Sequence, residues 1–390
     1  MTHSLRDLFY LRPDIAFFNH GSFGACPRPV FEDYQRWQRE AEAEPVEFLG
    51  RRLNGLLREA RQALAVFVGA DADDLVFVTN ATVGLNIVAH SLPLDRGDEV
   101  LGTDHEYGAM DRMWELVCAG RGARYVRHPA GVPFASASQV VDAVWSGVTD
   151  RTRVLFFSHI SSPTALIFPV KELVDRARAR GIITVVDGAH VLGQLPLDLR
   201  ALDADFYSAN AHKWLMAPKG SAFLYARRDM HKLVQPLVVS WGHAGDPAPA
   251  TRFVPDNEWQ GTRDPAAFLA VPAAIRFQKE HDWDTVRGRC HELLRETRQR
   301  LAAFTDLPAL SPDDPSWYCQ MASLPLPACD LAILQKRLFD EHRVEVPTVS
   351  WGARSFLRIS IQGYTERWEI DALVNGLRVL LPQVIHDVNR

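Results

Sequence analysis

The sequence predicts an α/β fold: a mainly parallel sheet covered by helices on both faces, followed by a smaller α+β unit. Over the first two-thirds of the chain, short apolar runs rich in β-branched and aromatic residues alternate with runs of helical periodicity. Strands that are apolar on both faces and alternate with helices are typical of parallel sheets. The length of 390 residues indicates two domains, since one domain usually takes roughly 100–200 residues.

The individual elements follow from these runs in chain order. A run after a Pro-Lys-Gly turn, at 220–227, could add an antiparallel strand. A stretch rich in Gly, Pro and polar residues, at 239–265, predicts a long functional loop. The α+β unit begins near residue 305 and includes the segment 320–326. The predicted strands are 75–79, 99–103, 153–160, 182–187, 204–209 and 356–361, and the predicted helices are 56–68, 108–119, 171–180, 266–281, 285–304, 331–342 and 365–381.

The composition argues against several classes of protein. Hydrophobic residues make up 47% and charged residues 23%, and the net charge of −5 offers no basic surface for nucleic acid or anionic lipid. Residues 1–14 lack the pattern of a signal peptide, and no apolar run approaches the ~18 residues of a membrane span. The five cysteines are scattered, which favours reduced thiols in a cytoplasmic enzyme. Because no CxxC or HxxxH spacing occurs, we expect no metal site.

Polar residues at strand ends supply three candidate groups, because ligands of parallel α/β sheets bind at the carboxyl ends of strands. The first is the segment 79–86, in which a helix starts near Thr82 with Asn80 or Thr82 as its cap. Free N–H groups at such a helix start bind phosphate. A plain capped helix without a ligand is the alternative.

Asp187 and Lys213 are the other two candidates. Asp187 ends an apolar strand, where a carboxylate is costly unless it pairs with a cationic ring nitrogen, a metal or an arginine. The alternative is that Asp187 caps a helix. Lys213 follows a strand within the stretch 208–220, and a lysine in a partly dehydrated pocket becomes a nucleophile able to form a Schiff base. The alternative is an ordinary lysine of a surface loop.

Together the three groups match what pyridoxal 5′-phosphate requires. Its phosphate needs helix N–H groups, its pyridine nitrogen needs a carboxylate, and its aldehyde needs an amine. Asp187 and Lys213 are one strand-turn-strand unit apart, so neighbouring strand ends can address both ends of one ring. We therefore expect pyridoxal phosphate as the cofactor.

The chain as a whole resembles the pyridoxal-phosphate enzymes of fold type I, in the class V aminotransferase group. Two motifs, DHEYGA and GTRDP, are similar to the isopenicillin N epimerase branch of that group, which also includes C–S lyases of ergothioneine pathways. The resemblance covers nearly the whole length. Its other stretches are NHGSFG (19–24), FFSHISSPTALIFP (156–169), TVVDGAH (184–190), HKWLMAPKG (212–220), VSWG (239–242) and LRIS (357–360).

The resemblance implies a division of the chain into three parts. An N-terminal segment, 1–20, would pack on the small domain and the active site. A large cofactor-binding domain, 21–265, would contain a mainly parallel seven-stranded sheet. A smaller C-terminal α+β domain, 266–390, would be joined to it by a long helix.

The resemblance also implies roles for the matching residues. Lys213 would form the Schiff base with the cofactor, Asp187 would pair with the pyridine nitrogen, and His190 would hydrogen-bond the phenolic oxygen. His105 would stack on the ring, and Tyr107 is a candidate acid or base. Further contacts would be made with the phosphate (Ala81, Thr82, Val83, Asn210 and His212), with the phosphate of the neighbouring subunit in a homodimer with shared active sites (Gly261 and Thr262), and with the substrate (Asn19, His20, Ser22, Arg263, and Arg358 at the α-carboxylate).

Several of these residues have an ordinary alternative. His105 could be a polar loop residue, Tyr107 a packing aromatic, and Arg358 a member of a structural ion pair. Arg263 could bind a distal carboxylate of the substrate or pair with a neighbouring acid. The sequence also departs from the group twice, with Asn210 in place of a usual Ser, and with the His190 of the epimerase branch in place of a usual Gln.

The implied activity is epimerisation of a small-molecule amino acid by removal of its α-proton. A C–S lyase acting on a cysteine conjugate or sulfoxide, and an aminotransferase, are the alternatives. Cysteine desulfurases carry a catalytic cysteine on the loop before the carboxylate-binding arginine, but residues 343–360 contain none. Cys319 and Cys329 lie in or beside apolar runs, where thiols are usually inert. We therefore expect no persulfide-forming desulfurase chemistry.

Overall fold

The computed structural model describes residues 5–243 and 252–388 of the protein, with side chains as far as Ile385. Part of the predicted loop (244–251) and the two ends of the chain (1–4 and 389–390) lie outside the described residues. None of the helices in the described ranges is long and apolar enough to cross a membrane.

Twelve strands and fifteen α-helices, together with short 3₁₀ and π turns, make up the described residues. The strands are β1 (Ala16–Phe17), β2 (Leu75–Val78), β3 (Glu99–Thr103), β4 (Arg124–His128), β5 (Thr152–Ser158), β6 (Ile183–Asp187), β7 (Phe206–Asn210), β8 (Ala222–Ala226), β9 (Met321–Leu326), β10 (Val344–Glu345), β11 (Thr348–Trp351) and β12 (Arg354–Ser360). The helices are α1 (His20–Phe23), α2 (Arg28–Ala43), α3 (Pro45–Glu47), α4 (Leu53–Val68), α5 (Ala81–Ser91), α6 (Gly108–Arg121), α7 (Ala137–Trp145), α8 (Val170–Arg178), α9 (Leu199–Leu202), α10 (Phe253–Glu258), α11 (Ala266–Leu269), α12 (Val271–Glu280), α13 (Trp283–Thr305), α14 (Leu331–His342) and α15 (Arg367–Val388).

The central sheet has seven strands in the order β2-β8-β7-β6-β5-β3-β4. Strand β8 pairs antiparallel with both of its neighbours, so the other six strands share one direction. Alternate residues of β5 enter different cores: Leu155 and Phe157 pack on one face of the sheet, Val154 and Phe156 on the other. The predicted α/β fold with a mainly parallel seven-stranded sheet is confirmed, including the antiparallel strand after the Pro-Lys-Gly turn.

The helix predicted near Thr82 is confirmed: it begins at Ala81, and Asn80 is its cap. Two other local predictions need correction. Strand β4 was not predicted, because it lies at the edge of the sheet and alternates charged residues with partly buried ones. The predicted loop 239–265 contains α10, which forms because Phe253 and three residues at the end of the helix are buried.

A second, three-stranded antiparallel sheet has the order β11-β12-β9 and belongs to the C-terminal part of the chain. The short strand β1 pairs in parallel with β10, which ties the N-terminal segment to this part. Helices α11 and α12 pack on α2 and α4, so a boundary drawn by packing would follow Glu280. The division into 1–20, 21–265 and 266–390 stays a prediction.

Helix α5 lies directly over the end of β7, and a glycine makes this approach possible. A Cβ on Gly84 would lie 2.3 Å from Ser208 Oγ, whose hydroxyl donates to the Phe223 carbonyl at 2.8 Å. The missing side chain lets the start of α5 sit beside the strand ends of β6 and β7. This contact positions any anion that the helix start binds next to the loop that follows β7.

We expect Gly84→Ala to lower the free energy of unfolding by ~1–3 kcal/mol, since overpacking of a tight contact costs that much. Gly55→Ala is the matched control, because Gly55 lies in helix α4 with no atom within 4 Å of the added Cβ. That control should gain ~0.5–1 kcal/mol from helix propensity. Urea unfolding of both variants measures the difference, and equal effects would contradict the close approach.

Candidate active site

Lys213 lies on the loop that links β7 to β8. Its backbone carbonyl accepts a hydrogen bond from His20 Nε2 at 3.0 Å. The side chain is partly buried, and the pKa of Lys213 is lowered to about 7, mainly by removal from water and also by the charge of Arg358, while the charge of Asp187 opposes the shift. The amine is therefore mostly unprotonated above neutral pH, as a nucleophile requires.

The amine of Lys213 faces the ring of His190. The distance from Lys213 Nζ to His190 Nε2 is 3.2 Å, and on the other side of the ring Trp214 Nε1 lies 3.2 Å from His190 Nδ1. The His190 carbonyl accepts from Gln194 Nε2 at 2.7 Å. Burial lowers the pKa of His190 well below its ordinary value, so the ring is neutral.

Asp187 ends β6 and is buried between the ends of β5 and β7. Among the described residues, its carboxylate receives a hydrogen bond only from the Ala189 N–H, to Oδ1 at 2.8 Å. Burial raises the pKa of Asp187, while the Ala189 N–H and the charge of Lys213 act to lower it. A buried carboxylate with one oxygen unbonded fits a cationic ring nitrogen, which would offset the desolvation.

The start of α5 offers fewer free donors than the sequence predicted. The Ala81 N–H donates to Asn210 Oδ1 at 2.8 Å, and the Val83 N–H donates to the Oδ1 of Asn80 at 2.9 Å. Within residues 5–243 and 252–388, no partner is described for the N–H or the hydroxyl of Thr82. This arrangement therefore leaves the N–H and hydroxyl of Thr82 for a phosphate, whereas the N–H groups of Ala81 and Val83 and the side-chain oxygen of Asn210 are engaged inside the protein.

His212 stands beside this helix start with one ring nitrogen already engaged. Its Nδ1 lies 3.0 Å from the Ser221 carbonyl, which can only accept, so Nδ1 carries a proton. Burial lowers the pKa of His212 to about 4, which makes the ring neutral and leaves a lone pair at Nε2. A phosphate contact from Nε2 would therefore require the ring to take up a second proton.

His105 lies fully buried on the turn between β3 and α6. Its Nδ1 is 2.8 Å from Thr164 Oγ1 and its Nε2 is 3.3 Å from the Gly131 carbonyl. The ring of Trp351 lies 4.6 Å from the His105 ring, and Trp351 Nε1 donates to the Asp104 carbonyl at 2.6 Å. The His105 ring has no exposed face in this arrangement, and its predicted stacking on the cofactor stays a prediction.

Arg358 is buried on β12 and is oriented by two serines. Its Nη1 donates to the carbonyl and the hydroxyl of Ser162 at 2.9 and 3.0 Å, and its Nη2 donates to Ser22 Oγ at 3.0 Å. Its Nε is buried without a described partner, and no carboxylate in the described ranges pairs with it. Burial lowers the pKa of Arg358 to about 10, and the half-exposed Tyr107 opposes this shift. The site therefore has a buried cation that lacks a counter-charge.

His20 and Asn19, predicted to line the substrate side, both make contacts inside the protein. His20 is fully buried, with Nδ1 2.9 Å from the Tyr364 hydroxyl and Nε2 on the Lys213 carbonyl. Asn19 Nδ2 donates to Glu345 Oε1 at 3.2 Å. His20 therefore contacts the backbone of Lys213, and the predicted places of His20 and Asn19 on the substrate side stay predictions.

The segment 261–263 is not brought to this site. Arg263 donates to Gln260 Oε1 at 3.2 Å and to the Glu258 carbonyl at 2.8 Å, and its guanidinium lies 4.9 Å from the Phe268 ring centre. Burial lowers the pKa of Arg263. Among the described residues, no hydrogen bond connects this segment with Lys213, so the roles predicted for Gly261 and Thr262 in a neighbouring subunit stay predictions.

Sequence reasoning missed a buried acid, Glu106, next to these groups. Its oxygens accept from Thr103 Oγ1 at 2.5 Å and from Ser158 Oγ at 2.6 Å. Burial raises the pKa of Glu106 to about 8, and the charge of Asp187 adds to the effect. The available signal was an acidic residue three positions after the end of an apolar strand. Trp214 and Trp351 were also missed, and an isolated tryptophan gives no comparable signal.

The thiols of the C-terminal part are poorly suited to nucleophilic chemistry. Cys319 Sγ donates to the Gln194 carbonyl at 3.1 Å, and burial raises the pKa of Cys319 to about 11. Burial also raises the pKa of Cys329. Since the thiolate is the reactive form, neither cysteine is activated.

Comparison with known proteins gives the family. The model of the class-V aminotransferases matches residues 23–373. An isopenicillin N epimerase of Amycolatopsis lactamdurans is 39% identical over 389 residues, which cover 96% of this chain and 97% of that protein. A hercynylcysteine sulfoxide lyase of Schizosaccharomyces pombe is 27% identical over 300 residues, 75% of each chain.

The fold also has close matches among solved structures. The cysteine desulfurase CsdA from Escherichia coli superposes with a TM-score of 0.81 at 22% identity, over 97% of this chain and 98% of that chain. At this identity the likeness concerns the fold alone, and the fold is that of fold type I pyridoxal-phosphate enzymes. The chain belongs to the class V aminotransferase family, and its cofactor is pyridoxal phosphate.

Proposed function

We propose that the protein is an amino-acid epimerase that inverts the α-carbon of its substrate. The observation that carries the proposal is the position of the Lys213 amine, 3.2 Å from His190 Nε2, where burial lowers the pKa of the lysine to about 7. The 39% identity with an isopenicillin N epimerase supports the choice of reaction. Pyridoxal phosphate, when bound, supplies the electron sink for the charge left on the α-carbon.

Lys213 and the residues around it remove the α-proton, orient the substrate and return a proton. Lys213 Nζ takes the α-proton, since a base with a pKa of about 7 is suited to proton transfer near neutral pH. Arg358 holds the substrate carboxylate in the orientation fixed by Ser22 and Ser162. Tyr107, which is 50% exposed and acts electrostatically on Arg358, is our candidate for returning the proton on the opposite face.

A C–S lyase acting on a cysteine conjugate or sulfoxide is the second candidate. It is favoured by the 27% identity with a hercynylcysteine sulfoxide lyase. Removal of the α-proton begins both reactions, so the same residues would serve either one. The raised pKa values of Cys319 and Cys329 support the proposal that persulfide-forming desulfurase chemistry is absent.

Incubation with a panel of α-amino acids in D₂O separates the two candidates. We expect the α-hydrogen to exchange for deuterium while the optical activity falls towards that of an epimer mixture. Proton NMR and polarimetry follow both changes. Release of pyruvate and ammonia without an inverted product would favour the lyase, and no reaction across a broad panel would leave both candidates unsupported.

The pH dependence of cofactor uptake tests the role of Lys213. The cofactor-free protein should take up pyridoxal phosphate with a pH midpoint near 7, because only the unprotonated amine attacks the aldehyde. Lowering the pH through this midpoint protonates the amine and slows uptake. Lys213→Ala should lose the visible absorbance of covalently held cofactor, whereas Lys219→Ala, at an exposed lysine of the same loop, should keep it. A Lys213→Ala protein that retains the absorbance would overturn this role.

We also propose that the protein works as a homodimer with shared active sites. An apolar stretch just before residue 244 is exposed, with Val239 at 70% and Trp241 at 88% exposure. The segment 261–263 does not reach the site of its own chain among the described residues, which suits the predicted role of Gly261 and Thr262 in a neighbouring subunit.

Light scattering should give a mass near twice the 43.8 kDa of one chain. Trp241→Glu should shift this mass towards the monomer, because a charge in a buried apolar interface is costly. Leu116→Glu, at a singly exposed apolar residue of α6, is the control and should stay dimeric. Dissociation by the control but not by Trp241→Glu would place the interface elsewhere.

A further inference from the structure

We propose that Trp214 fixes the tautomer of His190, so that the Nε2–H of His190 faces Lys213 and keeps the lysine amine unprotonated. Trp214 is thus a positioning residue, since it acts on the amine through His190. The inference rests on the proposed function of Lys213 as the amine that binds the cofactor. Lys213 and Trp214 are neighbours in sequence, and both contact His190, which precedes them by 23 and 24 residues.

The direction of the Trp214 hydrogen bond follows from chemistry alone. An indole N–H can only donate, so His190 Nδ1, at 3.2 Å, must accept and carries no proton. Because burial keeps the ring neutral, its single proton then lies on Nε2. That N–H points at Lys213 Nζ, 3.2 Å away. A neutral amine can accept this hydrogen bond, whereas an ammonium group would place one donor against another.

Trp214 is held firmly enough to impose this arrangement. Its side chain is fully buried, and its carbonyl accepts from Gln278 Nε2 at 2.9 Å. Gly193 packs directly on the same carbonyl: a Cβ there would lie 2.2 Å from the oxygen, and its φ of +89° suits glycine. The ring of His20 lies 4.9 Å from the indole. The indole therefore has little freedom to turn away from His190.

The charged groups around Lys213 do not by themselves decide whether its amine is protonated. Arg358 from β12 lowers the pKa of Lys213, and Asp187 from β6 raises it. His20 from α1 and His212 from the loop itself also face this region, but burial lowers their pKa values to about 3 and about 4, so both are neutral near pH 7. The two opposite charges act against each other, and the tautomer of His190 adds a bias towards the neutral amine.

The same proton placement suits the cofactor-bound protein. A phenolate oxygen can only accept a hydrogen bond, and the resemblance to the family assigns His190 to the phenolic oxygen of the cofactor. Only the tautomer with a proton on Nε2 can donate from the nitrogen that faces Lys213. The Trp214 N–H therefore favours the same His190 tautomer, with the proton on Nε2, both before and after the amine is linked to the cofactor.

The test uses full-length protein labelled with ¹⁵N in its histidine rings, with His190→Gln to assign the His190 signals. In the wild-type protein, the ring shifts should report a protonated Nε2 and an unprotonated Nδ1. Trp214→Phe keeps an aromatic ring in the core and removes the N–H donor; we expect the Nδ1-protonated tautomer to appear. A wild-type signal with the proton on Nδ1, or on both nitrogens, would overturn the proposal regardless of how Trp214→Phe folds.

The pH dependence of cofactor uptake gives the second readout. Trp214→Phe should move the midpoint up by about one pH unit, as expected for the loss of one hydrogen bond. Trp114→Phe is the matched control, because the fully buried Trp114 Nε1 has no hydrogen-bond partner among the described residues; it should leave the midpoint in place. In a His190→Gln background, Trp214→Phe should have no further effect. An unchanged tautomer and midpoint in Trp214→Phe would refute the proposal, whereas cofactor capture by Lys213→Ala would refute only the role of Lys213.

Discussion

Two hydrogen bonds of the His20 ring, one to the carbonyl of Lys213 and one with the Tyr364 hydroxyl, connect three distant parts of the chain. His20 comes from the N-terminal segment, Lys213 from the loop after β7, and the Tyr364 hydroxyl on the other ring nitrogen from the C-terminal part. Gly24, in the same segment as His20, also packs closely on the backbone of the lysine loop. The position of the amine therefore depends on the correct docking of elements that are more than 100 residues apart.

Burial is the main influence on the chemistry of this region. It lowers the pKa of Lys213 and of the nearby histidines, and it raises that of Glu106. Glu106 is hydrogen-bonded to two hydroxyls and carries its proton near neutral pH, which limits the negative charge beside Asp187. Few groups of the site are therefore charged. Asp187 and Arg358 are the main ones, and each lacks a counter-charge that the cofactor or the substrate could provide.

The groups that could be predicted from the sequence are those whose function follows from their position on a strand. Asp187 and Lys213 follow apolar strands of a parallel sheet, and the alternation of strands and helices is a local pattern that survives folding. The internal partners of Ala81 and His20 could not be predicted. They are an amide 129 residues away and a carbonyl 193 residues away, and hydrogen-bond direction depends on the full packing of both elements. A prediction from residue type alone therefore counts more polar groups as free for ligands than the folded protein leaves unbonded.

The hairpin formed by β11 and β12 carries both Trp351 and Arg358 on one rigid element. Trp351 donates to the Asp104 carbonyl and covers His105, while Arg358 is the residue proposed to bind the substrate carboxylate. Any shift of the hairpin that widened the carboxylate site would have to break the Trp351 hydrogen bond and uncover His105 as well. The position of the Arg358 guanidinium is therefore linked to the turn between β3 and α6, because the hairpin that carries Arg358 is attached to that turn through Trp351.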